Sequence, residues 1–262
     1  MRKSAASLFS LLAVVGSLLL MPAANAATVS VKVSTTTVDI GKPVTVSGKA
    51  TNADPGDLIK IQVRKPGTTR WVTVKRVALK ATHKYSTKIR LATPGANKVR
   101  VKSGKLASPS LTVTAYAWLD LTKQPHMQYS GSLTFMGATV QLGGTSYTPS
   151  IFAGGSADYL WNVDPGVCTN VKLTLGRPED FGPPTGTFAS SLQFFSDGPS
   201  VVHPYFVDGA PVPVAEAVPA STLQVYFKFS DFTLNAYAAA GTPMIRCAAA
   251  SLPEIDPTDA PF

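Results

Sequence analysis

Chemistry-bearing residues are scarce in this chain. It has two cysteines, Cys168 and Cys247, and three widely spaced histidines, His83, His126 and His203. No pair among them has the short spacing of a zinc site, and nothing local supports Cys-His catalysis. The sequence also lacks a G-x-S-x-G elbow, an H-E-x-x-H helix, a G-x-x-x-x-G-K phosphate loop and a G-x-G-x-x-G turn in a βαβ setting. A glycosidase would need two carboxylates facing each other across a cleft. Glu179 and Asp180 stand in a Pro/Gly loop, and Asp197 and Asp208 each precede a glycine in a turn, which accounts for them without chemistry. The expectation is therefore no enzyme: no catalytic residue, no metal site and no cofactor.

Long apolar runs are missing too, except at the start. Arg2 and Lys3 lead into the 14-residue run Leu8 to Met21, which ends in Ala24-Asn25-Ala26. A charged start, a short apolar run and an A-x-A site make a secretory signal peptide over 1–26, too short to span a bilayer. No cysteine follows the run, so a lipid anchor is not expected, and no later segment is apolar enough to be an integral membrane segment. The protein is expected to be secreted, extracellular or cell-wall associated. In an oxidising compartment a lone cysteine pair defaults to a disulfide, Cys168 to Cys247.

Negative charge is nearly absent from the first half. Residues 27–115 carry 17 Lys and Arg against 3 Asp, a net charge of +14, whereas residues 116–262 carry 5 against 12, a net of −7. A reversal of that size marks a domain boundary, placed between Thr114 and Leu119. The bland reading is a solvated face. The charge exceeds what solubility needs, so attraction to an anionic cell-wall polymer or acidic glycan is favoured. Nucleic acid is not expected, because the chain is exported and carries no recognised motif.

What the sequence does have is β patterning. Val29 to Val33, Val44 to Gly48, Leu58 to Val63, Trp71 to Val74, Tyr85 to Ile89, Val99 to Val101 and Leu111 to Val113 alternate apolar and polar residues between turn signals. Seven such strands in residues 27–115 predict an immunoglobulin-like sandwich, with Trp71 in its core or, alternatively, as a glycan platform. The segments V-T-V-S-G at 44–48, R-x-P-G-x-x-R-W-x-x-V at 64–74 and Y-S at 85–86 resemble bacterial Ig-like domains.

In the second half the centre is Gly143-Gly144-Thr145-Ser146-Tyr147-Thr148-Pro149-Ser150-Ile151, followed by Gly154-Gly155, Tyr159-Leu160-Trp161 and the strand from Cys168 to Gly176. Leu192 to Gly198 and Leu223 to Phe229 alternate as strongly. The G-G-x-x-Y-x-x-S-I stretch and the C-x-x-V-x-x-x-x-G strand resemble the NPCBM-like family of secreted bacterial carbohydrate-binding modules. That resemblance covers 116–250 and implies a jelly-roll-type sandwich that binds glycan without turnover. Residues 251–262, acidic and proline-rich, read as a disordered tail. The fold class expected is all-β, with two β-sandwich domains.

Stacking on sugar needs exposed aromatic faces, and the candidates are Trp118, Tyr147, Tyr159 and Trp161, with Asn162, Asp158 and Asp164 as polar neighbours. Tyr159 and Trp161 are two apart in one strand and share a face, which is either core or stacking surface. A structural calcium at Asp158 or Asp164 is the minor alternative. The function expected is binding of a glycan or anionic envelope polymer. The rival is a structural or adhesion protein whose sandwiches contact a protein partner.

Overall fold

The computed structural model describes residues 28–51, 53–130, 133–181, 188–231 and 237–255, and the expected signal peptide lies outside them. Among the described residues there is no α-helix, only two 3-10 turns at Leu121–Lys123 and Glu179–Phe181. The chain is all-β.

The first half holds β1 (Lys32–Val33), β2 (Thr37–Asp39), β3 (Pro43–Lys49), β4 (Leu58–Arg64), β5 (Val72–Ala78), β6 (Lys84–Arg90), β7 (Gly95–Ser103), β8 (Leu106–Ala107) and β9 (Leu111–Asp120). Period-two alternation sets their faces: Ile59, Ile61 and Val63 are buried, while Lys60, Gln62 and Arg64 face outward. One sheet is β1-β3-β6, and the other runs β9-β7-β4-β5 with β2 and β8 at its sides. Val44, Val46, Tyr85 and Ile89 of the first meet Ile61, Val99, Val101 and Val113 of the second in one core. The result is a sandwich. Gly48 is required within the β1-β3-β6 sheet: a Cβ there would run into the Ser30 carbonyl oxygen. The Tyr85 hydroxyl donates to that same oxygen at 2.5 Å. Trp71 is not in this core. It precedes β5 and lies half-exposed on the outer face, with the Arg100 and Arg64 guanidiniums 4.1 and 5.3 Å from its ring centroid.

The second half holds β10 (Met127–Ser130), β11 (Leu133–Leu142), β12 (Thr145–Gly154), β13 (Ala157–Asn162), β14 (Cys168–Gly176), β15 (Phe188–Phe195), β16 (Val201–Val207), β17 (Val212–Ala217), β18 (Gln224–Asp231) and β19 (Tyr237–Cys247). One layer is the five-stranded sheet β10-β13-β18-β15-β16. The other is β11-β12-β19, with β14 pairing both β19 and β17. Trp161, Phe194 and Phe227 from the first layer pack with Ile151, Val171, Leu175 and Ile245 from the second.

The halves share a strand. The sequence predicts a strand over 111–113, but β9 continues to Asp120, so residues 116–120 are sheet and not a junction loop. Its residues Leu111 to Ala115 pair with β7, and Ala117 to Asp120 pair with β19. Next to it, Arg246 Nε donates to Asp39 Oδ1 at 2.6 Å. The Arg246 guanidinium also sits 4.1 Å from the Tyr116 ring centroid and donates to Thr169 Oγ1 at 2.9 Å. The chain end is docked as far as described: Leu252 is buried, and its N–H donates to Gln124 Oε1 at 3.0 Å. Disorder expected from Ser251 onward is therefore not found at 251–255, because Leu252 joins the core of the second half.

Cys168 and Cys247 are register partners on β14 and β19 and form a disulfide with S–S 2.01 Å. It closes a loop with a sequence separation of 79. Replacing both cysteines with alanine should cost up to about 4.5 kcal/mol by chain entropy, read as a lower urea midpoint. An unchanged midpoint would contradict this. A second expectation concerns alkali. Burial pushes the phenols of Tyr85, Tyr159 and Tyr205 upward, and Glu216 adds to the rise at Tyr205. Their folded values then exceed the unfolded value near ~10, so the stabilisation is complete below that pH and is lost as pH climbs through the folded values. Stability measured by denaturant should fall between about pH 10 and 12.

Candidate functional site

A concavity lies at one end of the five-stranded sheet, where β13 and β15 end and β18 begins. It is a cleft of about 490 Å³, lined in part by Asn162, Asp164, Phe195, Ser196, Gln224 and Pro253. Register explains why these side chains meet. Asn162 is opposite Gln224, and Gln224 is opposite Phe195, so the three form one row across adjacent strands on the outer face. Such neighbours stand about 4.8 Å apart, close enough to touch one small ligand together. The backbone prolongs the sheet beyond this row: the Val163 N–H donates to the Leu223 carbonyl, and the Leu223 N–H to the Phe195 carbonyl, each at 2.8 Å.

The amides are held in fixed orientations. Gln224 Nε2 donates to Asn162 Oδ1 at 3.2 Å, and Asn162 Nδ2 donates to the Glu254 carbonyl at 3.1 Å. An amide can use two donors and two lone pairs, so Asn162 keeps capacity of each kind for a ligand. The Phe195 ring is half-buried and braced edge-on by Tyr226, with centroids 5.7 Å apart. Asp164 is exposed at the rim. Among the described lining residues it is the one carboxylate, so the cleft holds no acid–base pair of the kind hydrolysis of a glycosidic bond uses. Among the described residues no group of three His, Cys, Asp or Glu could hold a metal ion.

The expected aromatic platform is dispersed. Tyr159 and Trp161 do share a face, and that face is the core: both are 0% exposed. Trp161 Nε1 donates to the Leu121 carbonyl at 3.1 Å, and its ring stacks with Tyr159 at 6.1 Å. With no face open to solvent, neither can stack on a sugar from solution. Tyr147 leans on Gly241, where a Cβ would meet its ring at 2.6 Å, and packs against a small cluster with Val140 and Phe152. Trp118 is half-buried on the other sheet, with Lys172 Nζ 4.3 Å from its ring centroid. None of the four lines the cleft, whereas two of the expected polar neighbours, Asn162 and Asp164, do. Phe195, Gln224 and Ser196 were not singled out by sequence.

No protein-family model matches the chain, and no curated protein matches it. Among solved structures it is similar to the CBM51-2 and INT domains of Clostridium perfringens ZmpB, at 12% identity and TM-score 0.41, covering 75% of this chain and 42% of that one. It is also similar to the CBM51 of Clostridium perfringens GH95 in complex with methyl-galactose, at 10% identity and TM-score 0.38, covering 49% of this chain and 99% of that one. A third likeness is to CBM51-2 in complex with GlcNAc and INT domains of ZmpB, at 12% identity and TM-score 0.39, covering 87% of this chain and 49% of that one. The chain spans less than half the length of these two ZmpB structures.

The core assignment of Trp161 has a direct consequence. Trp161→Ala should destabilise the protein by about 3–5 kcal/mol, through cavity formation and loss of the indole hydrogen bond. Trp161→Phe should cost less. A urea midpoint unchanged in the alanine variant would place this ring outside the core.

Proposed function

We propose that this chain is a secreted, non-catalytic binding protein that takes a carbohydrate, as free glycan or as part of a cell-envelope polymer, in the cleft beside Phe195. The first sandwich, read as an Ig-like module over 27–115, aids attachment to anionic surfaces through its charge. The second, over 116–250, is read as the NPCBM-like glycan-binding module.

The observation that carries this reading is the row Asn162–Gln224–Phe195. A sugar ring offers apolar C–H groups on its faces and hydroxyls at its edge. A braced phenyl ring beside two oriented amides answers both, with the Asp164 carboxylate able to accept further hydroxyl protons at the rim. Polar groups fixed by strand pairing lose little freedom on binding, which favours even a small contact area.

A second reading has its own support. Val202, Pro204 and Phe206 lie on one face of the edge strand β16, and Phe206 is 72% exposed. Apolar residues on a strand that is an edge among the described residues suit a protein partner, as in a structural or adhesion protein.

A glycan array probed with the full mature chain separates the two readings. Retention of a neutral glycan is expected, with Phe195→Ala weakening it about tenfold, or ~1.4 kcal/mol, and Asn162→Ala weakening it less. Both variants should stay folded, since these side chains lie on the outer face of the sheet and outside the core. No retained glycan, or variants that bind as well as the parent, would overturn the cleft and leave the adhesion reading ahead.

A further inference from the structure

On the outer face of the first sandwich, basic side chains stand opposite basic side chains. Arg76 of β5, Lys60 of β4 and Lys102 of β7 form one cross-strand row. Four residues along, Arg64 is opposite Lys98 in another row. Like charges directly opposed in a sheet, about 4.8 Å apart, destabilise it. Among the described residues none of these cations has a carboxylate within 4.0 Å; Asp39 is paired with Arg246. Asp57 accepts the Asp54 N–H of its own loop at 3.1 Å.

Between the two rows Arg100 is held by neutral groups alone. Its Nε donates to Gln62 Oε1 at 3.0 Å, and its guanidinium lies 4.1 Å from the Trp71 ring centroid. Arg64 sits 5.3 Å from the same ring. A carboxylate would fix an arginine and cancel its charge, whereas an aromatic ring fixes it and leaves the charge in place. Along β7 the outward positions Lys98, Arg100 and Lys102 recur every second residue, about 6.8 Å apart. The face is thus a pre-ordered grid of uncompensated cations, repeating in both directions.

We propose that this face docks a linear phosphodiester-linked polyol polymer laid along β7. The proposal rests on the reading of the basic half as an attachment module, and names its surface and ligand. Open rows suit a repeating anion rather than a single one, because the cations do not converge on a point. A mixed Arg and Lys set matches phosphate oxygens, through bidentate forks and point charges respectively. Single-stranded nucleic acid is a poorer fit, since it is held by bases stacking on open rings, and Trp71 already carries two guanidiniums.

The test measures binding of the full mature chain to poly(glycerol phosphate), with polygalacturonate and oligo-dT as alternative probes. The variant Lys60→Gln/Arg100→Gln/Lys102→Gln removes three charges from the face. The variant Lys49→Gln/Lys84→Gln/Lys88→Gln removes three from β3 and β6 of the opposite sheet. The face variant should lose at least about tenfold in affinity at ~0.15 M salt, and about 2 in the slope of log affinity against log salt, while the control stays within about threefold of the parent. The double variant Lys60→Gln/Lys102→Gln, which leaves Arg100 on Gln62 and Trp71, should also melt no lower than the parent, because a repulsive row has been relieved. Equal losses in the two variants would overturn the face while leaving charge-driven attachment standing. Tighter binding of polygalacturonate or oligo-dT would overturn the polymer class. No binding of the parent to any of the three would overturn the attachment reading together with this one.

Discussion

Val113, Ala115, Ala117 and Leu119 all point to the same side of β9, yet the first two enter one core and the last two enter the other. A strand can do this because its alternating face extends without limit while the layer packed against it changes. The β1-β3-β6 sheet covers the first part, and the five-stranded sheet covers the rest. The opposite face carries Thr112, Thr114, Tyr116, Trp118 and Asp120 and is exposed or half-buried along its whole length. Two sandwiches on one uninterrupted strand need no linker, and bending between them would break backbone hydrogen bonds on β7 or β19.

The same strand brings the two charge regimes together. At the meeting point the electrostatics are local and specific: Asp39 of the basic half binds Arg246 of the acidic half, each carrying the minority charge of its own half. Both partners are partly exposed, so solvent screens the pair and its direct stabilisation is small. Its value is more in orientation. Arg246 is held at once by Asp39, the Tyr116 ring and Thr169, which come from three different strands or loops.

Alternation made much of the fold legible, because period two is a direct print of which face is buried. β4, β6 and β18 can be drawn from it almost residue by residue. The shared strand was not legible. The charge reversal at residue 116 and the aromatic-rich Tyr116 to Leu121 look like a boundary, and only pairing partners distant in sequence, β7 and β19, decide that the strand goes on. In the cleft the failure had a different cause. Aromatics are the expected sugar-binding signal, but Tyr159 and Trp161 are core, where they bury most area. The pattern held the answer. With Trp161 inward, Asn162 must face outward. The doublet Phe194-Phe195 must place one ring on each side, and Gln224 shares its face with Tyr226 and Lys228. What sequence could not supply is that these outward positions fall in one register row.

The geometry also limits how the two surfaces could work together. The loop carrying Asp164 is tied to the end of β19, where the Ala248 N–H donates to the Val167 carbonyl at 2.8 Å. The Ala248 carbonyl in turn lies 3.3 Å from where a Cβ on Gly95 would stand, at the start of β7. Cleft and cationic face are thus joined through packed backbone and not through a flexible tether. If one polymer reached both, the second contact would be intramolecular, with an effective concentration set by whether the polymer's own spacing matches a fixed separation. A flexible linker would accommodate many spacings weakly. A rigid shared strand accommodates few, and holds those few more tightly, so the continuity of β9 would act on selectivity between polymers as well as on stability.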